Sequence, residues 1–106
     1  MQALIDDMGG RSAAGEIFEL YLGELPRRHA AVLGAPDATS LGRAAHALGS
    51  PSGLVGATRL GLSCRAIEMR VREGRDVSAE MIEELSGECA RVRAAIEELL
   101  PALADG

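Results

Sequence analysis

Apolar residues recur in this chain at three- and four-residue steps, in segments cut apart by glycine- and proline-containing breaks. Such spacing gathers apolar groups on one face of an α-helix and does not suit the period-two alternation of a half-buried strand. Leu4, Ile5 and Met8 predict a short N-terminal helix that Gly9-Gly10 ends, with Ser12 placed to cap the next one. Ile17, Phe18, Tyr21, Leu22, Leu25, Val32 and Leu33 predict a second helix. Pro26 lies inside that pattern, where it removes one backbone hydrogen bond and can kink the helix. Gly34-Ala35-Pro36-Asp37 breaks the chain, and Asp37 is placed to cap a third helix. That helix is expected to bend or end between Ser50 and Gly56. Ala57, Leu60, Cys64, Ile67 and Val71 predict a fourth helix closed by Gly74. Met81, Leu85, Cys89, Val92, Ile96 and Leu99 predict a last one from about Ser78 to Leu100, with Asp76-Val77-Ser78 offering caps, Pro101 near its end and Glu88 and Arg91 paired one turn apart.

Four substantial helices with short connections are expected to pack as an all-α, antiparallel up-down four-helix bundle, the short N-terminal helix covering one end. Composition agrees. Of the 47% hydrophobic residues only one Phe and one Tyr are aromatic, so Leu, Ala, Val, Ile and Met must build the core. At 106 residues the chain reads as a single domain, 1–106, without repeats or low-complexity linkers. Cys64 and Cys89 have no CxxC spacing and no histidine nearby, and read as buried thiols. No apolar run approaches the length of a membrane span, and no leader-like pattern is visible, so a cytoplasmic protein without membrane insertion is expected. A net charge of −5 argues against nucleic acid as a partner, since that affinity rests on cationic contacts to phosphates.

Within the third helix, His46 breaks the apolar pattern. On a wheel at roughly 100° per residue, Leu41, Ala44, Ala45, Leu48 and Ser52 form one stripe, and His46 falls roughly 140° from its centre. Its neighbours one turn away are Gly42, Arg43, Gly49, Ser50 and Gly53. An imidazole is therefore displayed on a helix face stripped of bulk. Each interior glycine costs that helix up to about 1 kcal/mol against alanine, so helix stability does not explain the arrangement.

Neutral imidazole is a nucleophile that can take a phosphoryl group on a ring nitrogen and release it again. Phosphoryl transfer needs positioning and charge neutralisation more than covalent help from neighbours, and a relaying domain can leave both largely to its partner. Small residues around His46 give a partner's active site room to approach. Arg43 can supply a cation for the phosphoryl oxygens, and Ser50 can hydrogen-bond to the imidazole or the phosphate.

The run Ala45-His46-Ala47-Leu48-Gly49-Ser50 through Gly56-Ala57, followed by Leu60, Cys64 and Ile67-Glu68, resembles the histidine phosphotransfer (HPt) domains of bacterial multistep phosphorelays. Upstream, Phe18, Leu25-Pro26 and Asp37 fall where that family tends to place phenylalanine, leucine-proline and aspartate. The spacing from His46 to Gly56 is the most specific part. The resemblance implies a phosphorelay intermediate that accepts a phosphoryl group on His46 from a receiver-domain aspartate and passes it to another. It implies response-regulator receivers or a hybrid sensor kinase as partners. Mg²⁺ would come with the receiver, and this chain would carry no cofactor or metal of its own. Two positions depart from the family: Gly49 stands where a lysine is usual, and Ser50 where a glycine is usual. On that reading Gly49→Lys would raise the transfer rate or change partner preference.

Other features read as structural. His29, beside Arg27 and Arg28, is expected to be an ordinary surface residue. The carboxylates of the last helix lack the inward Glu-x-x-His pairs of a di-metal bundle. No phosphate-cradling glycine loop is present, so an autonomous kinase is not expected. Two alternative functions stand beside phosphotransfer: a receiver-binding adaptor without chemistry, and a structural bundle that dimerises through a Gly42/Gly49/Gly53 ridge.

Overall fold

The computed structural model describes residues 2–104; positions 1, 105 and 106 of the expected domain lie outside the described residues. Five helices follow one another: α1 (Gln2–Asp7), α2 (Arg11–Leu33), α3 (Ala38–Leu54), α4 (Thr58–Arg72) and α5 (Ala79–Ala104). No strand occurs among the described residues. α2 packs on α3 and α5, α3 on α4, and α4 on α5, while α1 touches α2. The four long helices thus close a ring around one core, and their short connections make neighbours antiparallel. This is the expected bundle with its short N-terminal helix.

Phe18, Leu25, Leu48, Leu60, Ile67 and Leu85 are fully buried, one or two from each long helix. All six belong to the stripes read from the spacing. Burying a side chain of this size contributes about 1.5–3 kcal/mol, so the shared core, rather than helix propensity, holds the elements together. Both cysteines are buried free thiols. Burial pushes Cys64 up to about 12 and Cys89 up to about 11, which keeps them protonated. Behind α3, the Tyr21 hydroxyl and Ser52 Oγ lie 2.7 Å apart, and Ser52 Oγ donates to the Leu48 carbonyl, also at 2.7 Å. With the Ser52 proton committed to Leu48, the Tyr21 hydroxyl donates to Ser52. Both buried hydroxyls are satisfied, and α2 is tied to the core side of α3.

Two expected caps are present. Asp37 accepts from the Ser40 backbone N–H at 2.7 Å, and Ser78 Oγ accepts from that of Met81 at 3.2 Å. Ser12 is not a cap. The chain turns at Gly9-Gly10, and the Gly10 carbonyl already accepts from Ala14 at 2.9 Å, so the helix begins at Arg11 with Ser12 inside it.

Prolines interrupt no helix. α2 runs through Pro26, with Tyr21 and Leu25 buried before it and Val32 after it. α5 passes Pro101 and ends at Ala104, beyond the expected stop near Leu100. Leu103 is buried there, and Arg11 Nη2 donates at 2.6 Å to the carbonyl of Ala102. Ala102 lies in the last described turn of α5, so a side chain from α2 caps that turn.

His29 is not an ordinary surface residue. It is half-buried between α2 and α5, with Nε2 2.8 Å from Ser86 Oγ. Burial, helped by the Arg93 charge, holds its imidazolium below the usual histidine range. The unfolded chain therefore takes up a proton that the folded chain resists. Stability is fully present above the usual histidine range and falls as pH drops through it. Urea unfolding compared at about pH 7.5 and about pH 5.5 is expected to show this loss. His29→Gln, which keeps a hydrogen-bonding group opposite Ser86, is expected to lessen it.

Candidate functional site

α3 and α4 form an antiparallel hairpin, and its turn dictates what faces what. Val55 follows the last residue of α3, and Gly56 carries the chain through φ +82°, a left-handed conformation that a side chain disfavours. A Cβ at Gly56 would also lie 2.8 Å from Leu4 Cδ2 of α1. From this turn the two helices run back along each other, so residues equidistant from Gly56-Ala57 become neighbours. Gly49 meets Cys64, and Gly42 meets Val71.

The approach at Gly49 is very close. A Cβ there would lie 2.7 Å from Cys64 Cβ, a separation that real Cβ atoms do not adopt, and one at Gly42 would lie 3.0 Å from Val71 Cγ1. These two glycines let α4 pack against α3; they are not simply clearance on a solvent face. The ridge offered for dimerisation is thus used within one chain at Gly42 and Gly49. A Cβ at Gly53 meets nothing within 4 Å.

One position off that register, His46 faces Glu68. His46 Nδ1 lies 3.0 Å from Glu68 Oε2, and the imidazole keeps 70% of its side-chain surface exposed against 22% for the carboxylate. An ionised carboxylate only accepts, so Nδ1 carries the proton and donates. The other ring nitrogen, Nε2, is left toward solvent. In the neutral ring it holds the lone pair. Glu68 thus selects the tautomer and holds the ring plane, as a carboxylate does for a metal-ligating or catalytic histidine.

His46 stands on a divide between two open grooves. The larger, of about 610 Å³, includes Gly49, Ser50 and Gly53 of α3 and Leu62, Arg65 and Met69 of α4. Leu62 and Met69 are 60% and 40% exposed, giving this face an apolar component close to the imidazole. The second groove includes Gly42 and Arg43 of α3 and Val71 of α4, and Glu68 and Arg72 border both. The five other residues read from the sequence therefore line the two grooves that meet at His46. Ser50 is exposed beside it but makes no hydrogen bond to His46 among the described residues. Sequence reasoning missed Glu68, Arg65 and Arg72 as members of the site. The hairpin symmetry about Gly56-Ala57 was the available signal.

The sequence model of the Hpt domain matches residues 16–102. The chain belongs to the Hpt domain family. No curated protein and no solved structure matched it. Hpt domains transfer phosphoryl groups in phosphorelays and work with response-regulator receivers and kinases, and this Hpt domain has the all-α bundle such transfer uses. No helix among the described residues is long and apolar enough to cross a membrane. Among the same residues no group of three or more His, Cys, Asp and Glu side chains is placed to hold a metal ion.

In this Hpt domain the lysine usual at position 49 has no room, because its Cβ would collide with Cys64. Gly49→Lys is accordingly expected to destabilise the α3–α4 contact, whatever it does to transfer. Gly49→Ala already tests the point. It is expected to cost about 1–3 kcal/mol of unfolding free energy by overpacking, while Gly53→Ala changes it by under about 1 kcal/mol, in the stabilising direction. Urea denaturation of the two variants checks both values.

Proposed function

We propose that His46 is the phosphoacceptor of this Hpt domain and that the protein is a phosphorelay intermediate between receiver-domain aspartates. The observation that carries the reading is the Nδ1–Glu68 hydrogen bond, which leaves Nε2 as the accessible nucleophile on an exposed ring. In the forward step the Nε2 lone pair attacks phosphorus of a receiver's aspartyl phosphate. The Nε2–P bond forms, the aspartate O–P bond breaks, and the aspartate leaves as a carboxylate. The ring keeps its Nδ1 proton and becomes cationic, with Glu68 alongside to offset the new charge. No proton has to leave. The reverse sequence delivers the group to a second receiver.

Docking would use the groove beside His46, with Leu62 and Met69 as its apolar contacts and Arg43, Ser50 and Gly53 facing the partner or the phosphoryl group. Mg²⁺ and the lysine of the acceptor pocket belong to the receiver. The reading goes with a cytoplasmic location in a bacterial two-component pathway. A receiver-binding adaptor without transfer is the second reading, and the lack of a basic side chain at position 49 favours it.

Incubation with a phosphorylated receiver separates the two. The wild-type chain is expected to take up label and His46→Gln none. Binding without label in either protein would decide for the adaptor, and equal label on both would reject His46. Glu68→Ala is expected to retain label on His46 but to slow transfer by roughly tenfold, the worth of about one charge-assisted hydrogen bond. Nitrogen-15 NMR of the imidazole should show the proton moving from Nδ1 toward Nε2 in that variant.

A further inference from the structure

Phosphate on an imidazole nitrogen brings up to two negative charges to an exposed helix face, beside the carboxylate of Glu68. Position 49 cannot supply the opposing cation, because any side chain there runs into Cys64. The same close approach brings the outward edge of α4 against the imidazole. Arg65 and Arg72 stand about one turn before and one turn after Glu68 and so share its side of α4. Arg65 borders the larger groove beside His46, and Arg72 borders both grooves. Both are exposed, and neither forms an ion pair among the described residues.

Charge is also distributed unevenly between the helices. α4 carries four arginines against the single carboxylate of Glu68, in a chain whose net charge is −5. α5 carries six glutamates against two arginines. The positive charge of an acidic molecule is therefore gathered on the helix that touches His46. Glu68 itself accepts from the imidazole and forms no ion pair with either arginine among the described residues.

We propose that Arg65 and Arg72, reaching from α4, neutralise the phosphoryl group on His46 in place of a cation at position 49. The proposal rests on His46 being the phosphoacceptor. Two long guanidinium side chains on a separate helix can close on the phosphoryl oxygens from either side of the ring without filling the contact at Gly49. Arg43, on α3 itself, borders only the second groove and plays the smaller part.

Phosphoramidate provides a test that needs no partner protein. Its P–N bond breaks, ammonia leaves, and the Nε2–P bond forms on the full chain. Phosphorus-31 NMR then follows the second ionisation of the bound phosphoryl group with pH. Cations nearby favour the dianion, so the double variant Arg65→Gln/Arg72→Gln is expected to titrate about half a unit to one unit higher than the parent. Arg43→Gln should move it less, and Arg65→Lys/Arg72→Lys should restore most of the shift. Superimposable titrations of the parent and the double glutamine variant, both labelled on His46, would overturn the proposal while leaving the acceptor in place. A larger shift in Arg43→Gln than in the double variant would overturn it too. An unlabelled parent, or equal label on His46→Gln, would overturn the phosphoacceptor reading and this proposal with it.

Discussion

Contact of α3 with α4 at Gly49 is the constraint on which the rest of the site depends. Helix axes approach closely only where a side chain is missing, and here the missing Cβ is replaced by that of Cys64 from the opposite helix. Cys64 can serve because it is small, buried and held in its thiol form by that burial. A larger residue at either position would move α4 outward and carry Glu68 away from His46. The glycines that weaken α3 as an isolated helix thus contribute through tertiary packing, where a close interface offsets a propensity cost of up to about 1 kcal/mol each.

That contact gives the imidazole a defined chemistry. An exposed histidine on a single helix would exchange tautomers and swing between rotamers. Glu68, contributed by the facing helix, holds one proton on Nδ1 and fixes the ring while leaving most of it in solvent. Leu62 and Met69 lie on the same helix and face the same groove. α4 therefore supplies orientation, apolar contact and positive charge, whereas α3 supplies the nucleophile and the space around it. The division follows from the hairpin, since residues equidistant from the turn at Gly56-Ala57 are brought together whatever their distance along the chain.

Prolines illustrate how far the bundle overrides local preference. Pro26, Pro51 and Pro101 each sit inside a continuous helix. Pro51 denies a hydrogen bond to the Ala47 carbonyl. One residue later, Ser52 is anchored to both Leu48 and Tyr21, so α3 continues to Leu54. Near Pro101 the anchors are buried Leu103 and the Arg11 bond to Ala102. In each case the flanking residues are held by other helices, and the loss of one backbone bond does not release them.

Helical periodicity by itself determined the number of helices, their apolar stripes and the outward position of His46, because all three depend only on the 3.6-residue repeat and on breaks at glycine and proline. The caps at Asp37 and Ser78 were legible for the same local reason, as was the run from Ala45 to Gly56 that resembles the HPt family. What surrounds the imidazole was not legible in that way. Glu68, Arg65 and Arg72 lie 19 to 26 residues from His46, and their proximity follows from the register of two helices across a turn. The burial of His29, the service of Gly42 and Gly49 to α4, and the passage of α5 through Pro101 likewise depend on partners from other helices. Periodicity specifies which side of a helix is turned inward; only packing specifies which residue waits on the other side.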